Sequence, residues 1–253
     1  MSSTIIVENL YKKFDLDLRS NDSALSNLLC FFSRSKSRRV LPVLKGISFK
    51  ANAGEVIGVI GRNGSGKSTL LKIIAEIYLP DQGTVKTHGR VVYLAGLGQG
   101  LQSKLTLREN IYLVGSIMGL SSKDIGRKYD EIVDFSGLRE FVDAKLYQFS
   151  SGMISRFAFS VTIHCVRHRN PEVLLLDEVF GTFADASFHE KAIHKMEELM
   201  KGGATIVITS HNMDFVEKFC HKALWIENGQ IAAIGSSAES VKSYLSFVKA
   251  SKK

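Results

Sequence analysis

One nine-residue stretch constrains the fold more than any other part of the chain. Residues 61–69 read Gly-Arg-Asn-Gly-Ser-Gly-Lys-Ser-Thr and fit the pattern G-x-x-x-x-G-K-[ST]. The apolar run 56–60 before it predicts a buried strand, and residues 70–75 after it predict a helix. A strand, a glycine-rich loop and a helix in this order place backbone N–H groups and a helix N-terminus around an anion. The stretch therefore predicts a phosphate-binding loop, and the flanking elements argue against a simple glycine-rich turn.

The residue types in this loop indicate what they bind. The glycines let the backbone bend sharply and approach phosphates closely. Lys67 has the position that reaches the β- and γ-phosphates of a nucleotide, and the Ser68 hydroxyl has the position that binds Mg²⁺.

Composition indicates a globular chain with reduced thiols. The 253 residues are 45% hydrophobic, which is enough to bury a sizeable core as one large domain or two coupled lobes. The three cysteines (Cys30, Cys165 and Cys220) are scattered and are interpreted as packing residues, not as a disulfide frame or zinc site. No signal-like N-terminal segment and no apolar run long enough for a membrane span occurs, so we expect an intracellular protein.

The order of predicted elements indicates an α/β fold with a helical insertion. Strand signals lie at 5–7, 47–49, 56–60, 84–87 and 91–94, with a turn at 81–83, and the alternation resumes at 172–234. We therefore predict a single domain over 1–253, with an α/β core and β lobe at about 1–104 and 171–253, a helical subdomain at about 105–170 and an inserted loop or helix at 15–42.

Local signals fix several helix ends and one hairpin. Thr106 and Glu109 form a capping box ahead of a helix that runs to about Gly119. Further helix starts are predicted at Ser121, at 150–151 and at Ser236, and Asn228-Gly229 predicts a type I′ turn between two strands.

A pair of carboxylates ends the apolar run 173–176. An acid at the tip of such a strand holds the Mg²⁺ shell in proteins with a phosphate loop, and Asp177 fits that role. The following Glu178 is placed to polarise an attacking water, which needs a carboxylate near the γ-phosphate. Without a phosphate loop in the chain, the pair would be read as an ordinary solvated strand end.

Two further segments are uninformative by themselves. Phe149-Ser150-Ser151-Gly152-Met153 opens a helix with small residues, which is typical of a simple helix cap. His211 follows the predicted strand 204–209, and a lone histidine there is usually structural.

Taken together, these motifs resemble the nucleotide-binding subunit of ATP-binding cassette (ABC) transporters over nearly the whole chain. Phe149-Ser-Ser-Gly-Met stands for the more common Leu-Ser-Gly-Gly-Gln, and Asp177-Glu-Val for Asp-Glu-Pro. With Leu107-Arg-Glu-Asn-Ile-Tyr112, Ser210-His-Asn-Met213 and Trp225-Ile-Glu-Asn228, the chain is similar to the ATPase subunits of bacterial exporters of lipid-linked O-antigen, capsule or teichoic acid.

The resemblance implies a P-loop NTPase fold of ABC type, with a RecA-like core, ATP and Mg²⁺ as ligands, and catalysis by Glu178 and His211, the latter at the γ-phosphate. It implies metal contacts from Ser68 and Asp177, and an adenine contact from Phe14, with Tyr11 as the alternative and a merely structural aromatic possible for both. The phosphate contacts it implies are Gly61, Asn63, Gly64, Ser65, Gly66, Lys67, Ser68 and Thr69, together with Ser150 and Gly152 from a second subunit.

The same resemblance implies partners and a location. The subunits would form a homodimer that sandwiches two ATP molecules head to tail, and this dimer would clamp a dimeric membrane-spanning permease. It would sit peripherally on the cytoplasmic face of the inner membrane. The final predicted helix ends near Lys253, so we expect no appended sugar-binding module, and selection of the polysaccharide would lie with the permease or the synthesis machinery.

Two positions depart from the family pattern. The family glutamine that touches Mg²⁺ and the membrane partner would fall near Leu97, with Gln99 and Gln102 close by and neither assigned. The segment after Glu178 is one residue longer than usual, which makes Asp185 the candidate for the aspartate at the dimer seam.

The segment 24–39 combines an apolar face with a basic run. Leu25, Leu28, Leu29 and Phe32 recur at helical spacing, and four cations follow at Arg34, Lys36, Arg38 and Arg39. This combination suits a helix at lipid headgroups, and the alternative is a packed helix followed by a solvated basic loop.

The sequence therefore predicts an ATPase that powers polysaccharide export. The net charge of +8, from 33 basic and 25 acidic residues, keeps open a soluble ABC-type ATPase that acts on nucleic acid. No coiled-coil insertion, zinc motif or second ATPase copy supports that alternative. A scaffold that binds ATP without turnover is disfavoured by Glu178 and His211.

Overall fold

The computed structural model describes residues 3–16, 39–168, 171–179 and 185–251. Its strands are β1 (Ser3–Leu16), β2 (Arg39–Asn52), β3 (Val56–Ile60), β4 (Gln82–Thr87), β5 (Val91–Ala95), β6 (Val173–Asp177), β7 (Thr205–Thr209), β8 (Lys222–Glu227) and β9 (Gln230–Ser236). Its α-helices are α1 (Lys67–Ile74), α2 (Leu107–Ile117), α3 (Ser122–Ser136), α4 (Ser151–His168), α5 (Ala186–Met200), α6 (Met213–Phe219) and α7 (Ser237–Ala250). Two single-turn 3-10 helices lie at Arg139–Phe141 and Leu146–Gln148.

A six-stranded sheet with the order β5-β6-β7-β3-β8-β9 forms the centre of the fold. All neighbouring strands are parallel except β9, which runs antiparallel to β8. Every residue of β3, β6 and β7 is buried, because both faces of the sheet are covered. The carboxyl ends of β5, β6, β7 and β3 therefore lie side by side at one edge of the sheet.

The two faces of this sheet belong to different hydrophobic clusters. Leu174 and Leu176 of β6 pack with apolar residues of α4, α5 and α6, while Val173 and Leu175 pack with α1 and the smaller sheet. The smaller sheet is antiparallel, with the order β2-β1-β4. Alternate residues of β6 therefore contribute to the hydrophobic cores on both faces of the sheet.

The helices α2, α3 and one side of α4 share a further hydrophobic cluster. Leu107 and Ile111 of α2, Ile125 and Ile132 of α3 and Phe157 of α4 are all fully buried in it. This cluster supports the start of α4, where the segment 149–153 lies.

Helix caps follow the sequence signals. The Thr106 hydroxyl accepts a hydrogen bond from Glu109 N, and the Glu109 carboxylate accepts one from Thr106 N, so the predicted capping box is confirmed. Ser121 and Ser236 also cap their helices. Asn228 and Gly229 have φ of 50° and 79°, as a type I′ turn requires.

Loss of the α2 cap has a measurable cost. Thr106→Ala is expected to lower the free energy of unfolding by about 1 kcal/mol, because the N–H of Glu109 loses its side-chain acceptor. Chemical denaturation measures the change. Thr106→Ser keeps the hydroxyl and serves as the control, and equal loss in both variants would contradict a capping role.

Three expectations differ from the structure or lie outside it. The turn expected at 81–83 is wrong in part, because β4 begins at Gln82. The insertion expected at 15–42 is shorter, since β1 runs to Leu16 and β2 begins at Arg39. Of the segment 24–39, residues 24–38 with the predicted helix and Cys30 lie outside the described residues, and Arg39 begins β2. Cys165 and Cys220 are buried free thiols.

Candidate functional site

The phosphate loop connects β3 to α1 and is held by close backbone contacts. A Cβ atom at Gly61 would lie 2.1 Å from the Ile226 carbonyl oxygen, so the loop entrance rests directly on the end of β8. Gly66, just before α1, has φ of 109°, and a Cβ there would lie 2.6 Å from Leu44 Cδ2. Only glycine fits these two positions without displacing backbone or core.

The phosphate loop surrounds the Lys67 side chain. Its side chain is buried, and Nζ donates hydrogen bonds to the carbonyl oxygens of Gly61 at 2.9 Å and Arg62 at 3.0 Å. Burial lowers the pKa of Lys67, and the nearby charge of Glu178, then that of Asp177, opposes the shift. These hydrogen bonds hold the ammonium where it can exchange loop carbonyls for phosphate oxygens.

Asp177 gathers three hydroxyl donors at the end of β6. Its Oδ1 accepts from Ser68 Oγ at 3.0 Å and from Thr209 Oγ1 at 2.7 Å, and its Oδ2 accepts from Tyr93 OH at 3.1 Å. Burial, followed by the Asp177 charge, raises the pKa of Tyr93. The adjacent carboxylate and Ser68 hydroxyl are oxygen donors of the kind that Mg²⁺ prefers, so these residues fit the ion.

Glu178 and His211 form a second pair beside the first. Their Oε1 and Nε2 atoms lie 3.0 Å apart, and the side chains are 53% and 49% exposed, so water reaches both. Glu178 has φ of 53°, in the left-handed region, and its N–H donates to Thr209 Oγ1 at 2.9 Å. A non-glycine residue held in this conformation is characteristic of strained functional sites.

The structure thus brings five of the predicted residues to one sheet edge. The end of β3 supplies Lys67 and Ser68 through the loop, the end of β6 supplies Asp177 and Glu178, and the end of β7 leads to His211. Of the other predicted loop residues, Asn63 and Gly64 are exposed, Ser65 is buried and Thr69 is half-buried within α1.

The segment 149–153 lies apart, at the start of α4. Phe149 anchors it with an edge-on contact to Phe141. The Ser150 hydroxyl accepts from Met153 N at 3.2 Å, and Ser150 is exposed while Gly152 is half-buried. The segment therefore has the form of a capped helix start, and its role toward a second subunit stays a prediction.

Asp185 caps α5. Its carboxylate accepts from Ser187 N at 3.0 Å and Phe188 N at 3.4 Å, and it pairs with Arg156 of α4 at 3.2 Å. The hydrogen bond from Phe188 N, followed by that from Ser187, lowers the pKa of Asp185. Its place at a dimer seam stays a prediction, and residues 181–184 lie outside the described part of the chain.

Phe14 lies near the end of β1. Its ring meets Tyr78 edge-on with centroids 5.5 Å apart, and the Lys12 ammonium lies 5.3 Å from its centroid. Tyr11, the alternative, is 41% exposed and has its hydroxyl close to Gly46. An adenine contact from either ring stays a prediction.

The position predicted for the family glutamine, near Leu97, stays a prediction. Gly96 N donates to the Asp177 carbonyl oxygen at 2.7 Å, and Leu97 packs against the core. Gln99 lines a cavity of about 270 Å³ between β5, α2 and α4. Gln102 exchanges backbone hydrogen bonds with the Asn110 side chain.

Sequence reasoning missed three residues that touch the predicted set. These are Tyr93, which binds Asp177, Thr209, which binds both Asp177 and the Glu178 backbone, and Arg156, which pairs with Asp185. The sequence does mark Thr209, since its hydroxyl follows the apolar run 206–208 directly before the loop with His211. Nothing in the sequence marks Tyr93 or Arg156, because their contacts depend on the strand order and on the placement of α4.

Comparison with known proteins identifies the class to which this fold and site belong. The family model for ABC transporters matches residues 44–181, more than half of the chain. A solved structure of the ATP-binding subunit of an ABC transporter superposes with a TM-score of 0.69 at 21% identity, covering 95% of this chain and 93% of that one. The chain belongs to the ABC transporter family and carries its nucleotide-binding ATPase domain, which confirms the predicted fold class.

Two relatives indicate which kind of ABC transporter subunit this chain is similar to. The O-antigen export system ATP-binding protein RfbB of Klebsiella pneumoniae is 40% identical over 213 residues, which are 84% of each chain. The teichoic acids export ATP-binding protein TagH of Bacillus anthracis is 36% identical over 249 residues, which are 98% of this chain but 44% of that protein. Among the described residues, no helix is long and apolar enough to cross a bilayer.

Proposed function

We propose that this chain is the ATP-hydrolysing subunit of an exporter that moves a lipid-linked polysaccharide across the inner membrane. The arrangement of Lys67, Ser68, Asp177, Glu178 and His211 at one sheet edge carries the ATPase part of the proposal. The likeness to export subunits for O-antigen and for teichoic acids carries the substrate class. It favours export over the nucleic-acid alternative.

The residues have distinct roles in hydrolysis. Lys67 and the loop N–H groups bind the phosphates, and Ser68 with Asp177 would hold Mg²⁺, which neutralises charge on the phosphate oxygens when bound. Glu178 is exposed enough to contact a water molecule and accepts its proton. His211 holds the Glu178 carboxylate through the 3.0 Å contact. It would also contact the γ-phosphate, as the resemblance to ABC subunits implies.

A second subunit completes the site. Ser150 and Gly152 lie at the start of α4, beside Phe149 and Met153 of the helical cluster, and not at the edge that holds Lys67 and Asp177. We propose that they bind the γ-phosphate held by the other copy, so that two ATP molecules are enclosed in a homodimer. The dimer would bind a membrane-spanning permease and sit peripherally on the cytoplasmic face of the membrane.

Export is tested in vesicles that contain the permease and a lipid-linked glycan. We expect the glycan to cross the bilayer only when this chain and Mg-ATP are present, and to stay in place when Glu178→Gln replaces the wild type. Permease-containing vesicles are also expected to raise ATP turnover of the wild type.

The controls separate the alternatives. Permease-free vesicles should leave both transport and turnover at background. Turnover that rises with DNA or RNA but not with permease would overturn the export proposal and favour the nucleic-acid alternative.

A further inference from the structure

The Tyr93 hydroxyl makes a contact that has no role in the hydrolysis proposed for this site. Tyr93 lies on β5 opposite Leu175 of β6, two positions before the pair Ala95–Asp177. Its side chain extends along the strand far enough for the hydroxyl to donate to Asp177 Oδ2 at 3.1 Å. A tyrosine on the neighbouring strand thus reaches the acid at the strand end.

The two oxygens of Asp177 are held from different directions. Ser68 and Thr209 both donate to Oδ1, from the phosphate loop and from β7. Tyr93 donates to Oδ2, from β5. Donors on both oxygens fix the rotation of the carboxylate, whereas donors on Oδ1 alone leave the plane of the group free to turn.

Tyr93, and not the residue next to Asp177, supplies the hydrogen-bond donor to Asp177 Oδ2. Gly96 is the residue next to the acid beyond the end of β5, and it contributes only an N–H to the Asp177 carbonyl oxygen. A Cβ built at Gly96 would have no neighbour within 4 Å, so the space is open and no side chain from this position fills it. The donor to Asp177 Oδ2 comes instead from Tyr93, three residues earlier in the chain.

We propose that Tyr93 is a positioning residue of the magnesium site, where it holds the Asp177 carboxylate in the orientation from which the acid and Ser68 bind Mg²⁺ together. The inference rests on the proposed ATPase function of the same site. A phenol suits the task, because it is a neutral donor and leaves the negative charge of the acid available to the cation. Preorganised groups bind more tightly, since they lose less freedom on binding.

Loss of the Tyr93 hydroxyl can be distinguished from a general loss of nucleotide binding. The phosphates are bound by Lys67 and the loop, none of which Tyr93 contacts through a hydrogen bond among the described residues. Loss of the hydroxyl should therefore weaken only that part of the nucleotide affinity that Mg²⁺ contributes.

Tyr93→Phe removes one oxygen atom and keeps the ring. The affinity of the full chain for a fluorescent, non-hydrolysable ATP analogue is measured with Mg²⁺ and with EDTA. We expect the gain in affinity due to Mg²⁺ to fall about tenfold in the variant, as loss of a hydrogen bond to a charged group predicts, while the affinity in EDTA stays at the wild-type value.

Tyr129→Phe is the matched control. The Tyr129 hydroxyl is buried in the helical cluster, and no hydrogen-bond partner for it is found among the described residues. This variant removes the same atom and should change neither affinity. Both variants should keep the wild-type melting temperature within a few degrees.

Three results overturn the inference. An unchanged Mg²⁺ gain in Tyr93→Phe shows that the hydroxyl does not position the acid. An equal loss with Mg²⁺ and with EDTA shows a general effect on the fold or the loop. A wild type without any Mg²⁺ gain, but with normal binding in EDTA, removes the magnesium site and leaves the nucleotide site standing.

Discussion

Replacing Glu178 by glutamine is expected to slow ATP hydrolysis by about a hundredfold or more, as loss of a general base does. The amide has the shape of the carboxylate and keeps an oxygen for His211, but it cannot take a proton from water. Phosphate release measures turnover. ATP-bound dimers should accumulate, since the step that reopens them is blocked, and size-exclusion chromatography with ATP detects them.

Glu190→Gln provides the control for this variant. Glu190 is an exposed acid on α5, and its neutralisation should leave turnover unchanged. Near-normal hydrolysis by Glu178→Gln would remove Glu178 from the catalytic role. Slow hydrolysis without any dimer would instead contradict the enclosed pair of ATP molecules.

Replacing Lys67 by alanine is expected to weaken ATP binding by about a hundredfold, which matches the loss of charge-assisted hydrogen bonds to phosphate. The fold should persist, because the Lys67 hydrogen bonds are made to loop carbonyls and alanine is the best helix former at the start of α1. Equilibrium binding of ATP measures the loss, and circular dichroism checks the fold.

Lys191→Ala is the matched control, since it removes an exposed ammonium on α5. Its ATP affinity should equal that of the wild type. Retained affinity in Lys67→Ala would show that loop 61–69 is not the nucleotide site.

The sequence predicted the elements well where a local rule applies. The buried strands β3 and β6 and the caps at Thr106 and Ser121 follow from apolar runs and capping residues that need no distant partner. The fold class followed from the order of motifs along the chain, and the family membership confirms it.

Contacts between distant strands were not predictable in the same way. The Tyr93–Asp177 hydrogen bond depends on β5 lying beside β6, which only the sheet order fixes. The Arg156–Asp185 pair depends on how α4 lies against the start of α5. The long β1 and β2 strands were underestimated, because the end of β1 and the start of β2 are largely exposed and mix polar residues with exposed apolar ones such as Val40 and Leu41, so that no burial periodicity marks them.

The left-handed backbone at Glu178 makes this position a compromise between durability and activity. Glycine would adopt φ of 53° without steric penalty, so a chain selected only to resist unfolding would gain about 1 kcal/mol from it. The carboxylate is what such a chain would lose. A redesign guided by stability alone would therefore select Glu178 for replacement, although hydrolysis requires its carboxylate. Any screen for more heat-resistant versions of this protein should therefore also measure hydrolysis rates.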